Sequence, residues 1–152
     1  MAENNTVKVL QELLDTCRDG ENGFREAAEK LTDPEIKNFF IEQSGERARF
    51  ARELEEEMRA FGAEIKPREQ EGSMAGAVHR GWINVKAALG GGDASILGAA
   101  ETGEDNAKEA YEKAINNREL PASALEVVRR QFENIRSAHD RVKLWRDRKK
   151  AA

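Results

Sequence analysis

The chain has a single cysteine, Cys17. A lone thiol cannot close an internal disulfide, and it cannot build a thiolate zinc site, which takes several cysteines. Proline occurs only three times and aromatic residues make up 6%. That scarcity fits long helices better than a β-sandwich. No stretch approaches the run of about 20 apolar residues needed to cross a bilayer. The first residues, MAENNTVKV, lack the charged-then-apolar order of a signal peptide, so a cytoplasmic protein without membrane contact is expected. Neither charge dominates: 25 basic residues face 29 acidic ones, for a net charge of -4. A general nucleic-acid surface is therefore not expected. The one basic cluster, Arg146, Arg148, Lys149 and Lys150, reads as the solvated end of a helix.

What is abundant is charge spaced among small and branched apolar residues. Charged residues amount to 36% of a 152-residue chain, a length that suits one domain. A first helix is expected over about 6–31, where Leu10, Leu14, Cys17, Phe24, Ala28 and Leu31 form one stripe and Glu21 interrupts it. Gly20 flanks that stripe and would let a neighbouring helix approach. Asp33 and Pro34 suit the cap and first position of a second helix over about 34–61, with Gly62 beyond its end. The short connection makes these two an antiparallel hairpin. After a polar loop, a short helix is expected over 74–89. Gly90, Gly91 and Gly92 break it, and Asp93 would cap a helix over 93–116. A last helix spans about 121–148.

Four long amphipathic helices with two tight turns and one long middle crossover define an up-down four-helix bundle of the ferritin-like kind. The crossover would make the second and third long helices parallel. At about 1.5 Å rise per residue, Glu21, Gln43, Glu104 and Gln131 then fall within a turn or two of one another near mid-bundle, with Arg47 one turn from Gln43. Glu104 lies about 40° from the centre of its apolar stripe and Glu101 about 100° away, so Glu104 is expected inside and Glu101 is not. Gly103 also faces inward.

The stretches DGENGFREAAEKLTDPEIKNFF, AGAVHRGWINVKAALGGGD, AAETGEDNAKEAYEKAI and QFENIRSAHDRVKLWRD resemble bacterial ferritin-like four-helix-bundle proteins grouped as domain of unknown function 2383. The resemblance covers nearly the whole chain. Its most distinctive parts are His79-Arg80-Gly81-Trp82 and Gly103-Glu104-Asp105. It implies the fold, and loosely a stress-related role, without a chemistry. The wider ferritin-like di-iron class places a Glu on each of two helices and Glu-x-x-His on the other two. Glu21 and Glu104 match the lone-Glu positions. The second helix has Gln43-x-x-Glu46 and the last has Gln131-x-x-Asn134 instead. Arg49 and Glu133 project away from their apolar stripes, so Glu46-x-x-Arg49 and Glu133-x-x-Arg136 match the motif in text alone.

Two site readings follow. In the first, Glu21, Gln43, Arg47, Glu104 and Gln131 form a buried polar layer. Arg47 pairs with the two glutamates, and the glutamines satisfy what remains. In the second, Glu21, Glu46, Glu104 and His139 hold iron or manganese in an atypical or degenerate di-metal binding protein or oxidase. The first is preferred, because Gln stands where anionic ligands would be needed and Arg47 competes with a cation. No catalytic residue is assigned, and no cofactor is expected beyond that iron or manganese alternative. Cys17 is read as an inert buried thiol. His79, Arg80 and Trp82 form either a contact surface or the seam of the crossover on the bundle. The expected function is self-association, favouring a dimer, or binding of an unidentified protein partner.

Overall fold

A computed structural model describes residues 2–65, 82, 90–117 and 120–151. They form four helices: α1 (Ala2–Lys30), α2 (Pro34–Ala60), α3 (Asp93–Ile115) and α4 (Ala122–Ala151). No strand occurs among the described residues. The short helix expected over 74–89 lies outside them except at Trp82, as do His79, Arg80 and part of the turn at Arg118 and Glu119.

The breaks follow local chemistry. The Asp33 carboxylate accepts the backbone N–H groups of Glu35 and Ile36, at 3.0 and 3.4 Å, and Pro34 opens α2 behind it. This satisfies donors that the first turn leaves unpaired. Gly62 follows α2 at φ 72°, where a side chain would be strained. Asp93, expected to cap its own helix, has another role. Its carboxylate accepts the Thr32 N–H, the Thr32 hydroxyl and the Asp33 N–H, all at 2.9–3.0 Å. It therefore ties the start of α3 to the turn between α1 and α2, and Gly92 at φ 85° precedes the helix without a side-chain cap.

Those tethers fix the directions. The end of α1 meets the start of α3, so the two are antiparallel. Lys149 near the end of α4 bonds Asp33 at the start of α2, at 3.1 Å. Helices α2 and α3 consequently run parallel across a bundle diagonal, without Cα atoms within 8 Å of each other. Neighbouring pairs are α1 with α2, α3 with α4, α1 with α3, and α2 with α4.

The apolar interior is in two parts. One holds Leu10, Leu13, Leu14, Phe50, Leu54, Met58, Tyr111 and Val128. The other holds Phe24, Ile36, Phe40, Trp82, Ile96, Leu97, Val142 and Trp145. Arg47 and Glu104 sit between them, and both are buried.

Trp82 enters the second part as a wedge between α1 and α3. Its ring lies 4.9 Å from that of Phe24, centroid to centroid. A Cβ on Gly23 would come within 2.1 Å of the indole, and one on Gly103 within 2.7 Å. Gly20 serves Arg47 in the same way, since a Cβ there would lie 3.0 Å from a guanidinium nitrogen. Gly20 and Gly103 were expected to admit a helix; they admit side chains.

Candidate functional site: a buried polar centre

Arg47 projects from α2 and Glu104 from α3 into the gap between the apolar halves. The guanidinium meets the carboxylate as a two-pronged fork. One Nη donates to Glu104 Oε1 at 2.7 Å and the other to Oε2 at 2.6 Å. Their side chains are 1% and 0% exposed. The Phe24 ring lies below the guanidinium, 5.1 Å from its carbon. Burial works against the charged guanidinium, but the adjoining Glu104 carboxylate outweighs it and raises the Arg47 pKa further above its ordinary value. Arg47 Nε has no hydrogen-bond partner among the described residues. The pair thus bridges the diagonal that backbone packing leaves open.

A second polar chain runs beside it and touches all four helices. The Tyr111 hydroxyl on α3 donates to Gln131 Oε1 on α4 at 2.7 Å. The Gln131 amide donates to the Phe50 carbonyl on α2 at 3.2 Å and to Glu53 Oε1 at 3.0 Å. Cys17 Sγ on α1 lies 3.0 Å from the Tyr111 oxygen. Tyr111 has one proton and gives it to Gln131, so the thiol is the donor in that contact. Burial pushes the Cys17 thiol up to about 11, and it raises the Tyr111 phenol well above its ordinary value. Glu53 closes the chain at the surface, where Arg130 bonds both its oxygens at 2.8 and 3.3 Å. Burial alone would raise the Glu53 pKa, but the bonds from Arg130 and Gln131 hold it below its ordinary value.

The other residues singled out from sequence lie as follows. Glu21 is half-buried on α1; its backbone carbonyl accepts the Ser44 hydroxyl at 2.8 Å, and no described residue bonds its carboxylate. Gln43 is half-buried, with Oε1 shielded and unbonded among the described residues. Glu46 pairs with Arg49 at 2.8 Å on the outer side of α2. Trp82 is buried at 5% exposure, inside the bundle and not on a contact surface. His139 faces neither Arg47 nor Glu104. It lies in the seam between α3 and α4, with Nε2 2.5 Å from Asp105 Oδ1 and Nδ1 3.0 Å from Asp140 Oδ1.

Glu101, expected outside, is buried beside that seam and forms an ion pair with Arg146. The expectation measured its angle from one stripe, but α3 packs against both α1 and α4 and buries a wider arc. Sequence reasoning also passed over Tyr111 as a hydrogen-bonding residue, because its position fits an apolar stripe. On α1 it passed over Gln11, Asp15 and Asp19, which are buried in steps of four along one face with Gly23 next in line.

The donor set at the bundle centre does not match a dinuclear iron or manganese centre. Glu104, its one fully buried carboxylate, has both oxygens engaged by Arg47, and Gln131 is engaged by Tyr111 and Glu53. Glu46 pairs with Arg49 along α2, and His139 lies in the seam between α3 and α4.

The fold and this centre define the class: an all-α four-helix bundle with a charged pair and a polar chain at its heart. The family described as domain of unknown function (DUF2383) matches residues 5–117. The chain belongs to that family. No curated protein matches it. Among the described residues, no helix is long and apolar enough to cross a membrane.

Proposed function

We propose that the protein is a non-catalytic bundle of the ferritin-like kind that works by association, with a second copy of itself or with a protein partner. The observation that carries this reading is the fork of Arg47 on Glu104. A metal ion at that place would have to displace a buried guanidinium and leave its charge without a partner, which is costly. The ferritin-like assignment is supported by the parallel α2 and α3 joined through one long connection. Association is supported by the absorption of the central polar groups into contacts between helices, which turns attention to the outside. Ile41 on α2 and Leu144 on α4 are large apolar side chains left about half exposed, at 52% and 46%. The cytoplasm is the expected compartment, and a stress-related role remains the loose implication of the family likeness.

Two measurements test this. Untagged protein dialysed against a chelator is expected to retain no stoichiometric iron or manganese and to show no ferroxidase activity. Stoichiometric iron or manganese retained, or an oxidase activity abolished by Glu104→Ala, overturns the reading. Light scattering across 1–100 µM (roughly the range that separates firm from marginal dimers) is expected to show a dimer. A strict monomer that binds no partner contradicts association.

A further inference from the structure

The seam between α3 and α4 carries a second cluster, separate from the Arg47–Glu104 centre. Glu101 and Asp105 are four residues apart on α3 and project from one face. His139 comes to them from the antiparallel α4. One ligand atom from each of the three lies within 4.8 Å of the others. A four-coordinate zinc with bonds of about 2.0–2.2 Å sets its ligand atoms roughly 3.4 Å apart. Small side-chain rotations bring this triad to that spacing, because all three sit on rigid helices.

Two details point to a cation. His139 has a carboxylate at each ring nitrogen, Asp140 at Nδ1 and Asp105 at Nε2. A ring protonated at both nitrogens donates to both carboxylates, and a divalent cation can take the place of the Nε2 proton between His139 and Asp105. If Asp140 takes the proton on Nδ1, Nε2 and Asp105 form a pair of donors toward an ion. Metal-bound histidines are commonly held in this way, with the far nitrogen anchored by a carboxylate. In addition, Glu101 is buried and its carboxylate already holds a positive charge, in its ion pair with Arg146. Arg146 has another partner in Asp147, at 2.8 Å, and can leave Glu101 for it. Asp105 is 58% exposed at the mouth and gives an ion a way in.

We propose that Glu101, Asp105 and His139 form a zinc-type divalent cation site, with Asp140 orienting the imidazole and Arg146 competing for Glu101. One nitrogen and two carboxylates leave a fourth position for water, and they suit zinc or a similar borderline ion. Competition from Arg146 makes the site an exchangeable one.

Titration calorimetry of untagged protein with zinc chloride, and visible absorption with cobalt(II), test the proposal. One equivalent is expected to bind. His139→Ala is expected to weaken binding at least tenfold, and Asp140→Asn about tenfold through loss of orientation. Arg146→Gln is expected to tighten binding several-fold, which loss of a merely structural ion pair would not do. Because His139 is buried, Asp105→Asn at an exposed position is the second variant, expected to weaken binding while the helical circular dichroism is unchanged. Zinc binding absent at millimolar concentration overturns the site. So does binding unchanged in both His139→Ala and Asp105→Asn, or binding lost equally in His79→Ala.

Discussion

Cys17 shows how a side chain's surroundings, more than its type, decide what it can do. The thiol is fully buried and donates to Tyr111, which passes its own proton on to Gln131. A thiol with its pKa raised from 9.0 to about 11 holds little thiolate near neutrality, and thiolate is the reactive form. Native protein is expected to resist a disulfide reagent at pH 8 and to react fully once unfolded; rapid labelling of the native state would contradict the burial. The pH consequence has a definite sign. Between pH 9 and 11 the unfolded thiol loses its proton while the folded one keeps it, so the unfolded state gains. This stabilising effect is complete below pH 9 and fades as pH rises through 11. The loss is on the order of 2–3 kcal/mol, from the size of the shift. Urea midpoints of wild type and Cys17→Ala compared at pH 8 and 10.5 check it: wild type should fall further.

Helices and their seams separate what the sequence reveals from what it conceals. Apolar spacing sets the four helices to within a few residues of their observed ends, and it places Glu104 inside with Arg47 near it. Height along a helix is a reliable guide here because rise per residue is constant. Facing is less so. Glu101 was assigned to the outside because its angle was taken from one stripe while α3 touches two neighbours, and the partner of His139, Asp105, sits on an edge that a single stripe assigns to water. Trp82 was ambiguous because a tryptophan can seal a seam inside or offer a surface outside. What decides it is distant in sequence: Gly23 and Gly103 leave room for the indole from two other helices. Gly23→Ala is accordingly expected to destabilise by about 1–3 kcal/mol or more, the usual cost of overfilling a packed interior. Gly45→Ala on α2, where an added Cβ meets nothing within 4 Å, is expected to stabilise by up to about 1 kcal/mol through helix propensity. Thermal melts of the two variants should move in opposite directions, and equal shifts would contradict the wedge.

Across the whole molecule, the polar centre joins elements that backbone packing does not. Helices α2 and α3 lie on a diagonal, and Arg47–Glu104 spans it. The chain from Cys17 through Tyr111 and Gln131 to Glu53 touches every helix. A buried pair of this kind is weak evidence for net stability, since desolvation offsets much of the attraction. Its effect is to specify which helices face each other, because an unpaired charge in the interior is far worse than a paired one. A double-mutant cycle in urea with Arg47→Met and Glu104→Leu tests this most directly. Each single change leaves one buried charge alone and should cost about 3–5 kcal/mol. The double change removes both charges with similar volume, and should return to within about 1–2 kcal/mol of wild type or exceed it. Losses that simply add, or a Glu104→Leu variant as stable as wild type, would contradict a structural pair at the centre of the bundle.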